Sequence, residues 1–118
     1  MLIRLDPSSS APLFAQIADA LRTEITAGRL AAGERLPSAR EVAEALQVNL
    51  HTVLHAYQDL REEGLLDLRR GRGAVVTATG DAIVELRADI AALVAKARAA
   101  GVAPDTLSAL VKEAARVH

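Results

Sequence analysis

Two helix-start signals set close together constrain this chain more than anything else in it. Ser38 can cap a new helix with its hydroxyl, while Glu41, three residues on, caps back. Asn49 is a good N-cap for a further helix that runs to about Glu63, where Gly64 ends it. Between the two signals Val42, Ala43 and Leu46 supply the buried side of a short helix. Gln47-Val48 is left as a tight turn.

The flanking segments extend this pattern. Leu13, Ile17, Leu21 and Ile25 recur every four positions, which predicts an amphipathic helix over 13–27, stopped by Gly28. Residues 1–11 read as an extended lead-in, and 29–37 as a link punctuated by Gly33 and Pro37. Beyond Gly64, Leu65 to Arg69 and Ala74 to Thr77 are β-prone runs around the Gly-rich turn Arg70-Gly71-Arg72-Gly73, a hairpin signature. The order helix, helix, turn, helix, hairpin is that of a winged helix-turn-helix. The expected fold class is therefore mainly α with one small β-hairpin.

After Gly80 the composition becomes Ala-rich. Ile83, Leu86, Ile90, Leu93, Ala97 and Ala100 follow three- and four-residue steps, a short heptad seam broken by Gly101. A last helix begins near Pro104 and carries Leu107, Leu110, Val111 and Ala114 on one face. The expected organisation is a winged unit over 1–77 and a two-helix tail over 78–118.

Composition narrows the function. The chain has no cysteine, which excludes disulfides, thiolate zinc sites and cysteine nucleophiles. Phe14 and Tyr57 are its only aromatic residues, so the stacking platforms of single-strand binders are missing. No paired-carboxylate, nucleophile–base or phosphate-loop motif is present, so no enzyme activity and no cofactor are expected. The N-terminus lacks the apolar core of a signal peptide, and no stretch approaches the ~20 apolar residues of a membrane span. A cytoplasmic protein without a membrane partner is expected. The net charge of −1 says little, because nucleic-acid affinity follows local clusters of cations. One dense cluster exists, Arg69, Arg70 and Arg72.

From Pro12 to Val76 the chain resembles the DNA-binding domain of the GntR family of bacterial regulators. The matching residues are Pro12-Leu13-Phe14, Gln16-Ile17, Gly28, Leu30, Gly33, Leu36-Pro37-Ser38 and Arg40, then Val48, Thr52-Val53, Ala56-Tyr57, Leu60, Gly64-Leu65, Gly71-Arg72-Gly73 and Val76. The short helical tail resembles the YtrA branch, whose members lack a large effector-binding domain. The resemblance implies a transcription regulator, with DNA contact at Arg40. Two positions depart from the family pattern. Gln47 stands where Gly is usual, and Leu50 and Leu54 stand where DNA-contacting arginines are common.

The third helix can be read independently. At ~100° per residue, Val53, Ala56, Tyr57 and Leu60 face the core, while His51, His55 and Gln58 lie opposite. Asn49 and Thr52 sit in the first turn, the end of a recognition helix that reaches base edges. Leu50 and Leu54 flank these two faces. Asn49, Leu50, His51, Thr52 and His55 are thus candidate groove contacts, and the missing arginines point to an A/T-tolerant site. The i, i+4, i+8 spacing of His51, His55 and Asp59 also suits metal ligands, but no further acidic cluster supports that reading. Ser38 is read first as a cap and second as a phosphate ligand. Arg40 either contacts DNA or pairs with Glu44. Arg69, Arg70, Gly71 and Arg72 form a wing tip suited to the sugar-phosphate backbone or a narrow minor groove. The rival reading is a winged helix used to bind protein.

One winged helix makes too few base contacts for a unique site, so a homodimer on a palindrome of double-stranded DNA is expected. The seam residues Ile83, Leu86, Ile90 and Leu93, with Leu107, Leu110 and Val111, are the candidate dimer surface. So short a tail is expected not to enclose a ligand cavity of even ~300 Å3. An unidentified small-molecule effector, if there is one, belongs at the dimer interface.

Overall fold

The computed structural model describes residues 3–71 and 73–117. They form α1 (Leu13–Thr26), α2 (Ala39–Leu46), α3 (Leu50–Glu62), β1 (Leu66–Arg69), β2 (Gly73–Val76), α4 (Ala78–Ala99) and α5 (Pro104–Val117). The chain divides into two compact units, Met1–Val84 and Glu85–His118.

In the first unit the apolar stripes meet as their periodicity requires. Ile17, Leu21 and Ile25 of α1, Val42 and Ala43 of α2, and Val53, Ala56, Tyr57 and Leu60 of α3 form one buried cluster. Leu65, Leu66, Ala74 and Val76 add the base of the hairpin to it. Packing of this kind, rather than intrinsic propensity, stabilises a helix as short as α2. The local signals act where they stand. The Ser38 hydroxyl accepts from the Glu41 amide at 3.1 Å, and Asn49 Oδ1 accepts from the His51 amide at 2.7 Å. Gln47 closes α2 in the left-handed region, at φ 56° and ψ 48°. It is the only non-glycine residue at positive φ among those described.

The hairpin is antiparallel and pairs Leu66 with Val76 through to Arg69 with Gly73. Part of the expected link is a third rung beside it. Arg35 bridges Val75, the Gly33 and Leu36 amides donate to the Val76 and Ala74 carbonyls, and the Val76 amide donates to Glu34. The wing is thereby anchored to the segment that leads into α2. On the far side of α3, Arg22 of α1 grips Glu63 with two parallel hydrogen bonds of 2.7 and 2.5 Å. Gln16 pins the lead-in by bonding the backbone of Asp6 and Ala11.

α4 begins at Ala78, before the glycine from which the seam was read. Ile83 packs against the winged core instead of continuing the seam, because the first turns of this helix belong to the first unit. Ile83, expected in the dimer surface, is half-buried within the winged unit of its own chain. In the second unit Ala97 is buried, whereas Leu86, Ile90, Leu93, Leu110 and Val111 are exposed. Leu107 is half-buried. α4 and α5 frame an apolar groove of about 590 Å3, lined by Ile90, Leu93, Val94, Leu107 and Val111. The tail encloses no cavity in this groove, which is open along one side. Two helices meeting along one edge leave the other edge of their apolar faces uncovered.

Candidate nucleic-acid interface

Three elements of the first unit converge on a continuous surface. A groove of about 530 Å3 runs between the wing and the start of α2, lined by Arg35, Pro37, Ser38, Glu41, Gly71 and Gly73. A second, of about 400 Å3, is lined by Ser38, Leu54, Leu68, Arg69, Arg70 and Gly73. The outward side of α3 forms a third concavity with His51, Leu54, His55 and Gln58. Ser38 is common to the first two grooves and Leu54 to the last two, so the helix start, the wing and the exposed face of α3 adjoin.

Each side chain is positioned by a local cause. Tyr57, buried in α3, donates from its hydroxyl to the Pro37 carbonyl at 2.6 Å and holds the residue before the α2 cap. Burial, and then the Glu41 carboxylate, push the phenol up to about 12. Ser38 uses an oxygen lone pair for the cap and keeps its hydroxyl proton as a donor. Arg40 is exposed in the first turn of α2 and makes no ion pair with Glu44 among the described residues. On the wing, Arg69 pairs with Asp67 at 3.0 Å, and Arg70 is exposed without an ion-pair partner among the described residues. Arg72, the third arginine of the expected wing patch, lies outside the described residues.

The α3 candidates separate into different environments. Asn49 and His51 are exposed, and Thr52 is half-buried. Leu50 packs against the winged core, whereas Leu54 is 36% exposed. His55 lies face to face with Phe14 of α1, ring centroids 3.7 Å apart at 14°, with Nε2 3.6 Å from Asp59 Oδ1. One face of its imidazole is therefore occupied, while half of the side chain is exposed. No three His, Cys, Asp or Glu side chains among the described residues are placed to hold a metal ion. Sequence reading left several residues of this surface out of the candidate site, Arg35, Leu54, Gln58 and Gly73 among them. The pairing of 33–36 with the hairpin brings Arg35 there, and no local periodicity announces it. Leu54 was visible as a flank position of the helical wheel.

The surface joins exposed cations, a helix N-terminus and polar side chains on one helix, which is the chemistry of phosphate and base contact. Comparison with known proteins agrees with it. Residues 13–76 match the model of the bacterial regulatory proteins of the gntR family. The chain is 32% identical over 118 aligned residues to the HTH-type transcriptional repressor YtrA of Bacillus subtilis (strain 168), covering 95% of this chain and 91% of that one. Among solved structures it is similar to YtrA from Sulfolobus acidocaldarius, a GntR-family transcription factor (34% identity, TM-score 0.62, 84% of this chain and 99% of that one). It is also similar to the AraR DNA-binding domain in complex with operator ORX1 (28% identity, TM-score 0.57, 63% of this chain and 92% of that one). Such relatives are regulators and not enzymes. The chain belongs to the GntR family of bacterial transcription regulators, as a YtrA-like member with a winged helix-turn-helix domain that binds DNA.

Proposed function

We propose that this regulator represses transcription in the cytoplasm by binding a palindromic double-stranded operator as a homodimer. The observation that carries the reading is the continuity of the surface through Ser38 and Leu54, which joins the start of α2, the face of α3 and the wing. Asn49, His51 and Thr52 supply groove contacts at the first turn of α3. Ser38 and Arg40 meet phosphates, and Arg69, Arg70, Gly71 and Arg72 lie along the backbone or in the minor groove.

The winged unit supplies DNA contact and the tail beyond residue 78 supplies dimerisation. Ile90 and Leu110 are 52% and 53% exposed, and a second copy of the tail covers them. Leu86, Leu93, Leu107 and Val111 extend that surface, without Ile83. Repression follows from a small dimer occluding a promoter.

Site selection from randomised duplex DNA at near-physiological salt tests the reading. An enriched palindrome with half-sites about one helical turn apart is expected. Failure of the folded dimer to enrich any duplex would overturn it in favour of protein binding.

A further inference from the structure

We propose that Leu54 is a base-reading residue and that it reads the 5-methyl group of thymine in the major groove. The inference rests on the DNA-binding reading above. Leu54 lies where the outward face of α3, with His51 and Gln58, meets the groove that holds Ser38, Arg69 and Arg70. It is a large apolar side chain, 36% exposed, between the polar and acidic side chains of α3, Asp59 and Glu62 among them, and the groove that holds Arg69 and Arg70. Leu54 borders the core through the groove it shares with Tyr57, Leu68 and Ala74, yet more than a third of it stays open to solvent beside Arg69 and Arg70. A phosphate gains nothing from such a group. The thymine methyl is the apolar feature that a base pair presents in the major groove, and an apolar side chain is its natural contact. Leu54 stands one turn along α3 from Leu50, on the side toward the wing, so it reaches a base pair beside those met by Asn49 and His51. The flanking His51 and Gln58 supply hydrogen bonds and cannot replace that contact.

The experiment replaces each thymine of the selected operator, one at a time, with deoxyuridine, which removes the methyl and nothing else. With the unaltered protein, one position per half-site should weaken binding about fourfold, the value of one buried methyl, and about sixteenfold when both half-sites are changed. The same replacements should alter the affinity of Leu54→Ala by less than twofold. Site selection with Leu54→Arg should move the base at that position from thymine to guanine. A bound operator with no methyl-sensitive thymine, or an equal penalty in Leu54→Ala, would overturn the inference and leave the DNA-binding reading intact. If no duplex is bound at all, both fall. The deoxyuridine scan uses the unaltered chain, so its outcome does not depend on how the variants fold.

Discussion

The Tyr57 hydroxyl donates to the Pro37 carbonyl across 2.6 Å, and so ties the middle of the recognition helix to the residue preceding the α2 cap. One core side chain thereby fixes the distance between two parts of the DNA-facing surface. Tyr57→Phe keeps the ring and removes the tie. It should cost roughly 1–2 kcal/mol in urea unfolding, because the Pro37 carbonyl loses its partner. Operator affinity should fall as well, through looser placement of Ser38 and Arg40.

The same phenol gives a pH dependence. Tyr57 is raised to about 12 by burial and then by Glu41, whereas tyrosine in the unfolded chain titrates near ~10. The folded state therefore holds the proton longer. The contribution is fully present below pH ~10 and is lost as pH rises toward the folded value, at ~1.4 kcal/mol per pH unit. Tyr57 is the only tyrosine, so tyrosinate absorbance reads it directly. A midpoint near the unfolded value would contradict the assignment.

Gln47 occupies the left-handed region that glycine adopts freely. Gln47→Gly should relieve about 1 kcal/mol of backbone strain, partly offset by the greater freedom of glycine in the unfolded chain. A net gain of ~0.5 kcal/mol is expected. Gln47→Val should lose stability, since a β-branched residue tolerates positive φ poorly. Denaturant midpoints with an unchanged slope check both.

Ser38 has two roles that substitution can separate. Ser38→Ala should cost ~1 kcal/mol through the lost cap and should also weaken DNA binding. Ser38→Asp keeps the cap and places a negative charge against phosphates. Unchanged melting with a clear loss of DNA affinity is the expected result; equal affinity would assign Ser38 to capping alone.

The tail and the wing make separate contributions. Leu110→Glu should yield a folded monomer in sedimentation and weaken operator binding, while leaving the winged unit intact. Arg70→Ala should leave the dimer unchanged. The salt dependence of its operator binding should flatten by ~1 in logarithmic slope for each phosphate that Arg70 no longer neutralises.

The sequence by itself determined the starts of α2 and α3, the ends of α1 and α3, and the hairpin. Ser38 and Asn49 cap the amides three and two residues ahead of them, and Gly28 and Gly64 follow the ends of α1 and α3. Those effects depend on neighbours within one turn, so they are written locally. The stripes of α1 and α3 were legible for the same reason, because a helix repeats its faces. Tertiary structure alone decided what lies against each face. Arg35 joins the wing only because Val75, distant in sequence, offers its backbone. Phe14 occupies one side of His55, Ile83 turns to the winged core, and Leu50 packs against that core while Leu54 stays more exposed. A periodic pattern states that a face is apolar or polar. Which partner covers it, and which side chain at its margin stays free to touch a base, depends on contacts between residues that the chain brings together only by folding.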